Sequence, residues 1–323
     1  MYLNSFADST APHDMAGSEE FASLLQSAAD LGIDHAPQTE YRSANIVLRG
    51  MRFHYLDWGN PAHPAIILLH GGHQQAHSWD LVSLNLARHY RVIALDQRGH
   101  GDTEWARDAD YTGQAMAADA AGFIRAIGFE QPPVVIGHSM GGRNTMLLAR
   151  NHPDLLRAMV IVDIGPELSE RGRTAIAGFV KANEEFDDLE HFIANVRQYD
   201  PYRPRAHIER TVKYNMLVRA DGKYVSKCDG TLRRLGIRPM APGDALTLAD
   251  AAKLDLPALL VRGADSNILA PDAAERFRDA LPQGVLVTVP NCGHGVPSQN
   301  TPGFLAALHD FLATLQSGGQ HVR

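Results

Sequence analysis

Ser139 lies at the centre of Gly137-His138-Ser139-Met140-Gly141-Gly142, after the apolar run Val134-Val135-Ile136 and before a helical pattern from Met140 to Asn151. Strand, sharp turn and helix in that order are the setting in which Gly-x-Ser-x-Gly acquires chemical meaning. The turn holds its central residue in a strained backbone conformation. A side chain at 137 or 141 would strike the neighbouring strand or helix, and glycine removes that clash. The serine hydroxyl is thereby lifted above the carboxyl edge of a sheet, over the first turn of a helix. The N–H groups of that turn, Met140's among them, have no intrahelical partner and sit at the positive end of the helix dipole. A nucleophile beside such donors is equipped to attack a carbonyl carbon and to stabilise the resulting oxyanion. The hydroxyl still needs a base, and the chain has 16 histidines from which to supply one. None of them falls in an HExxH or paired Cys/His spacing, so neither a metal nor an organic cofactor is expected.

Strand-like and helix-like patterns alternate around this turn. Residues 45–49 and 51–58 alternate apolar and polar about Gly50 and predict an antiparallel hairpin. The continuous apolar run 65–69 predicts a buried parallel strand; it stops at His70-Gly71-Gly72-His73 and yields to a helix with Trp79, Leu81 and Leu84. Residues 91–95 predict the next strand, ending in Asp96-Gln97-Arg98-Gly99-His100-Gly101-Asp102. A helix over about 113–127 leads to the strand before Ser139, and residues 158–162 predict a strand that ends at Asp163.

The rhythm then breaks. Residues 165–254 are charged and helix-like, are punctuated by Pro201, Pro204, Pro239 and Pro242, and contain no convincing buried strand. They predict a helical cap over the sheet edge that carries Ser139. The pattern resumes with a strand at 257–261, a helix at 271–280, a strand at 285–289 and a helix at 302–315. The class is therefore α/β, a mainly parallel sheet with helices on both faces. Its core spans 44–164 and 255–316, with the cap at 165–254 and a tail at 317–323. Residues 1–43 form an extension, polar and irregular over 1–17. Within it, Phe21, Leu24, Leu25, Ala28 and Leu31 fall at helical spacing behind Ser18 as N-cap. That helix is expected on the surface or on a partner subunit, so the extension is a candidate contact for a homo-oligomer.

A formal charge of −7 and the lack of a basic cluster argue against a nucleic-acid surface. Cys228 and Cys292 are too few for a disulfide framework, which fits a reducing compartment. No apolar run reaches the length of a membrane span, and residues 1–34 lack the apolar centre of a signal peptide. The expectation is a cytoplasmic protein whose partner is a small molecule, not a nucleic acid or a membrane.

Four motifs in sequence order give the chain a resemblance to the α/β-hydrolase superfamily over about residues 44–316. They are His70-Gly71-Gly72, Asp96-x-Arg98-Gly99-x-Gly101, Gly137-His138-Ser139-Met140-Gly141-Gly142 and Gly293-His294. The resemblance implies a mostly parallel eight-stranded sheet with the helical cap between strands six and seven. It also implies a Ser-His-Asp triad in which His294, in the loop after the last strand, is the base. The oxyanion hole is then the N–H groups of Gly72 and Met140. His138 is expected to pack beside the nucleophile, His70 to bond the oxyanion loop, and His100 to belong to a tight turn. His73 and His77 lie near the pocket; His73 and Trp79 are the tentative substrate contacts, with Met140, Met216 and Leu217 as further lining. Asp96 and Arg98 resemble a structural turn, and Cys292 is expected to pack.

The acid has two candidates. In most of the superfamily it follows strand seven as Gly-x-x-Asp, but Gly263-Ala264-Asp265-Ser266 puts serine in that slot and Asp265 one residue early. Near a strand end such a shift turns a side chain to the opposite face. Asp163 ends strand six, 24 residues after Ser139, and resembles the acid of a subgroup of small esterases and cofactor-free oxygenases. Asp163 is preferred and Asp265 is the alternative. These residues imply a serine hydrolase acting on a small carboxylic ester, or on a lactone or thioester. A carbon–carbon hydrolase, a cofactor-free oxygenase and a ligand-binding homologue without activity are the rivals on the same scaffold. The first usually resembles Gly-Asn-Ser-Met-Gly-Gly, which His138 does not fit. A haloalkane dehalogenase or epoxide hydrolase would carry aspartate at residue 139.

Overall fold

A computed structural model of the chain describes residues 18–169, 172, 174, 178, 185–235, 243–244 and 246–317. The expected irregular stretch 1–17, Pro239, Pro242 and the tail beyond 317 lie outside the described residues. Ser18 caps helix α1 (Glu19–Asp30), its hydroxyl accepting from the Phe21 N–H at 3.1 Å. Strands β1 (Tyr41–Leu48) and β2 (Met51–Trp58) form the hairpin, with Leu48 opposite Met51. Arg49 and Gly50, both at positive φ, make the two-residue turn. The sheet therefore begins a little before residue 44.

The continuous apolar runs become β3 (Ala65–Leu69), β4 (Arg91–Leu95), β5 (Val134–His138) and β6 (Ala158–Val162). Helices α2 (Asp80–Leu86), α3 (Gly113–Ile127) and α4 (Met140–Asn151) join them. After β6 the chain leaves the sheet for an insertion containing β7 (Glu185–Phe186), α5 (Leu189–Tyr199), α6 (Arg205–Val212), β8 (Met216–Val218) and β9 (Tyr224–Ser226). It returns as β10 (Ala258–Gly263), α7 (Pro271–Ala280), β11 (Gly284–Val289) and α8 (Thr301–Ser317). The eight-stranded order is β1-β2-β4-β3-β5-β6-β10-β11, parallel from β4 to β11. The central runs are apolar on both faces because helices cover both. One core layer joins α1, α2 and α8 to the sheet, and the other joins α3, α4 and α7.

The insertion is not wholly helical. Its three short strands pair antiparallel in the order β7-β9-β8. Two or three residues are too few to display an alternating pattern, which is why these strands leave no sequence signal. Phe186, Phe192, Ile193, Ile208, Val212 and Met216 form a separate small core there, so Met216 packs within the insertion, and Leu217 is exposed.

Polar contacts seat the insertion on loops at the carboxyl ends of the main strands. The Asp229 N–H donates to the Gly99 carbonyl at 2.8 Å, Lys227 pairs with Asp102 at 2.6 Å, and the Trp105 indole donates to the Lys227 carbonyl at 3.0 Å. On another side Arg210 pairs with the buried Asp80 at 2.8 Å, and Tyr214 stacks on His77 with ring centroids 3.7 Å apart. His77 therefore belongs to this buttress and not to a substrate pocket. Helix α1 completes it: Phe21, Leu24 and Ala28 are buried in the body, and Glu20 pairs with Lys213 at 2.7 Å. The apolar face read as a possible subunit contact is thus covered by its own chain. No described helix is long and apolar enough to cross a membrane.

The Asp96–Asp102 turn is tied from within. Asp96 accepts from the Ala76 N–H at 2.6 Å, from His54 Nδ1 at 2.7 Å and from the Asp102 N–H at 2.9 Å. Burial pushes the Asp96 carboxyl up, but the His54 hydrogen bond and charge, with His70 and the Asp102 N–H, outweigh it and hold the group at about 2. Arg98 forms a bidentate pair with Asp119 on α3 and donates to the Asp110 carbonyl. Asp119 also pairs with Arg49, whose side chain is 59% exposed. Removing one member of a buried pair strands the other, whereas an exposed partner contributes little. Urea unfolding of Asp119→Ala is expected to show a loss of about 3–5 kcal/mol, and Arg49→Ala a loss below about 1 kcal/mol.

Candidate active site

Strand β5 turns into α4 through Ser139, whose φ of 52° and ψ of −113° are the strained conformation that the surrounding glycines permit. A Cβ on Gly137 would enter the Gly141 carbonyl, and one on Gly141 would enter the Leu69 carbonyl of β3. The strain is held by the frame: the Ser139 N–H donates to the Val162 carbonyl of β6 at 3.0 Å, and the Arg143 N–H to the Ser139 carbonyl at 3.0 Å.

Three side chains converge here from loops after β5, β6 and β11. His294 Nε2 lies 2.9 Å from Ser139 Oγ, and His294 Nδ1 lies 2.8 Å from Asp163 Oδ2. An ionised carboxylate only accepts, so Nδ1 carries the hydrogen and Nε2 offers its lone pair to the serine hydroxyl. Asp163 is wholly buried and has a φ of 51°. Its Oδ1 accepts from the Gly263 N–H at 3.0 Å, and its Oδ2 accepts from the Ser266 hydroxyl. Asp265 stands outside this line. Its N–H donates to the Cys292 carbonyl at 3.0 Å, its side chain is exposed, and its carboxylate accepts from the Tyr202 hydroxyl of the insertion at 3.0 Å. A neighbouring position on the loop turns it to the opposite side, so of the two acids considered only Asp163 meets His294.

The oxyanion loop is fastened to the elbow. The His70 carbonyl accepts from the Gly141 N–H at 3.1 Å and from Gln97 Nε2 at 2.7 Å. His70 Nδ1–H donates to the Gly71 carbonyl at 2.8 Å, while Nε2 accepts from the Gln97 N–H at 3.0 Å. Burial lowers the His70 pKa, and these bonds suit the neutral ring. The Gly71 N–H donates to Gln74 Oε1 at 3.0 Å, and a Cβ at residue 71 would strike the His138 ring and Gln74. At Gly72 a Cβ would meet nothing within 4 Å, so close packing demands glycine only at the first of the pair. Gly72 is exposed and Met140 half-buried. Among the described residues neither backbone N–H donates to another protein atom.

His138 is buried, and its Nε2–H donates to the His294 carbonyl at 2.8 Å. Burial, with the neighbouring His294 charge, holds its pKa at about 3, so it stays neutral. Gln74, unmarked by any sequence motif, has its Oε1 3.1 Å from His138 Nδ1, but with the ring hydrogen on Nε2 both atoms are acceptors, so Gln74 holds the Gly71 N–H beside this ring without bonding to it. Cys292 is buried, and burial pushes its thiol up to about 11, which keeps it protonated. Trp79 is 1% exposed and packs against Phe304 in the core, so it is not a substrate contact. Both pocket and core aromatics fit helical spacing, and burial decides between them. His73 is half-buried in the oxyanion loop, its ring edge-on to His100 at 6.2 Å. One trio of possible metal donors, His54, Asp96 and Asp102, occurs among the described residues. His54 is already bonded to Asp96 and Ser43, and Asp102 to Lys227.

Comparison with known proteins gives this geometry a lineage. A sequence profile described as the Alpha/beta hydrolase family matches residues 66–308. The chain is 29% identical over 311 residues to Esterase Rv0045c of Mycobacterium tuberculosis, covering 93% of this chain and 98% of that protein. It is 30% identical over 274 residues to the sn-1-specific diacylglycerol lipase ABHD11 of Mus musculus, covering 81% and 85% respectively. The crystal structure of E-2-(acetamidomethylene)succinate hydrolase superposes with a TM-score of 0.77 at 23% identity, covering 85% of this chain and 100% of that one. The matched span runs from β3 to α8 and takes in the elbow, Asp163 and His294. The chain belongs to the Alpha/beta hydrolase family.

Proposed function

We propose that this protein is a serine hydrolase that cleaves small carboxylic esters through an acyl-enzyme intermediate. The observation that carries the reading is the unbroken line from Ser139 Oγ to His294 Nε2 at 2.9 Å and from His294 Nδ1 to Asp163 at 2.8 Å. His294 takes the Ser139 proton as the hydroxyl oxygen bonds to the carbonyl carbon, and Asp163 stabilises the imidazolium that forms. The carbonyl oxygen becomes an oxyanion that accepts from the N–H groups of Met140 and Gly72. A preorganised donor of this kind is worth about 3–4 kcal/mol of barrier. His294 then gives its proton to the leaving alkoxide, and the ester's acyl group remains on Ser139. Water, deprotonated by the same imidazole, attacks that acyl carbon and releases the acid, returning the proton to Ser139.

His73, beside Gly72, is the substrate contact retained in this reading. The esterase and lipase names among the relatives favour oxygen esters as the substrate class, with lactones and thioesters open to the same steps. The partner is accordingly a small ester in the cytoplasm, and the chemistry as written draws only on side chains and backbone. A cofactor-free oxygenase would use the same three side chains without acylating Ser139, so covalent labelling separates the two readings.

Ser139→Ala is expected to lower nitrophenyl-ester turnover by roughly 10⁴-fold or more and to abolish labelling by a fluorophosphonate, with thermal unfolding near wild type. Ester turnover by a wild-type protein that resists labelling at Ser139 would overturn the acyl-enzyme route. In the same assay Asp163→Asn should cost about 10⁴-fold in kcat, whereas Asp265→Asn should stay within about threefold of wild type because its carboxylate serves only an exposed hydrogen bond.

A further inference from the structure

The serine that occupies the slot next to Asp265 does more than fill it. A hydroxyl has one proton to donate and two lone pairs with which to accept. The Ser266 oxygen accepts from the Ile268 N–H at 3.2 Å and the Leu269 N–H at 3.3 Å. Both lone pairs are thus engaged, and the only proton is left for Asp163 Oδ2, the oxygen that also accepts from His294. The turn that supplies the two N–H groups is itself clamped. Arg262, 5% exposed, donates from Nε to the Leu269 carbonyl at 2.8 Å and from Nη1 to the Ala264 carbonyl at 3.2 Å. The Ser266 N–H closes the turn on the Gly263 carbonyl at 3.0 Å. Rotating the hydroxyl away would leave two backbone donors without their acceptor and Asp163 Oδ2 with His294 alone.

We infer that Ser266 is a positioning residue of the triad: it fixes the rotation of the Asp163 carboxylate and withdraws part of the charge on Oδ2 from His294. The inference rests on the serine-hydrolase reading above. Gly263 holds Oδ1 and Ser266 holds Oδ2, so the carboxylate plane is set from both ends. A donor to Oδ2 competes with the imidazole for the same oxygen. The imidazolium form of His294 is therefore less stabilised than it would be by a carboxylate that served it alone. The other titratable or charged groups around this pair are His138, whose ring centroid is 4.8 Å from that of His294, Cys292, Arg262 and Asp265. Among the described residues none of these four bonds to Asp163.

The sign follows from the competition. Without the Ser266 proton, Oδ2 serves His294 alone, the imidazolium gains, and the neutral base needed for attack appears only at higher pH. The test is the pH profile of kcat/KM for a nitrophenyl ester in the full-length protein. Ser266→Ala is expected to move the acid limb up by roughly 0.5–1 pH unit and to lower kcat about tenfold. Ser266→Thr, which keeps the hydroxyl, should return the limb to the wild-type position. Ser266→Cys, a weaker donor, should shift it part of the way and covers the case in which the alanine variant does not fold. Asp265→Asn should leave the limb where it is. Loss of kcat or of thermal stability in Ser266→Ala with an unmoved limb would reduce Ser266 to a structural residue and overturn the inference, as would a threonine limb displaced like the alanine one. Failure of the hydrolase reading itself would register elsewhere, as ester turnover that survives Ser139→Ala.

Discussion

A carboxylate sealed from water is tolerated only when its oxygens are met by donors, and Asp163 imposes that condition on the whole carboxyl edge of the sheet. Its donors come from the end of β10 with the turn after it and from the loop after β11, so together with β6 three separate stretches of chain have to meet. Gly263 lets the last two approach. A side chain there would enter the Gly293 carbonyl, and its own N–H is the donor to Oδ1. The φ of 51° at Asp163 belongs to the same arrangement, turning the carboxylate out of strand β6 toward this meeting point. Satisfying one buried charge thus delivers an oriented imidazole to the serine as a by-product.

The parts of this site that were legible from residues are those whose geometry is local. Gly137, Gly141 and Gly142 announce the bend at Ser139 because each stands where a Cβ would collide within a few residues or with the adjacent strand. The continuous apolar runs from β3 to β10 were equally plain, since strands covered on both faces need no alternation. What eluded the residues depends on direction in space. Asp163 and Asp265 both follow continuous apolar strands, and only the path of the loop shows that one faces His294 and the other Tyr202. Ser266 reads as a departure from a pattern, and its role emerges only from the three bonds of its hydroxyl, to Asp163 and from the Ile268 and Leu269 N–H groups. Trp79 and His77 carried the composition of a pocket but are used in packing and in the buttress under the insertion. The short strands β7 to β9 had too few residues for any period to register.

The insertion is joined to the body by two kinds of contact. The Arg210–Asp80 pair is buried, so salt scarcely screens it, and the half-buried Tyr214 stacks on His77 beside it. The contacts of Lys227 with Asp102 and of Tyr202 with Asp265 lie at the exposed rim, where each contributes little alone. Beside the rim contacts there are buried ones as well: the Tyr111 hydroxyl donates to Asp229, and Asp244 accepts from the Gly113 and Gln114 N–H groups.

The place of α1 in this structure also bears on how the polypeptide matures. Glu20 waits for a partner 193 residues downstream. At about 5–20 residues per second, ribosomal synthesis leaves that interval at roughly 10–40 s. Through it, the leucine and phenylalanine of a helix made early can meet the α2 segment but not the insertion that completes their surroundings. Docking of α1 on the insertion is thus long-range, and it stitches an early-made helix to a much younger part of the chain.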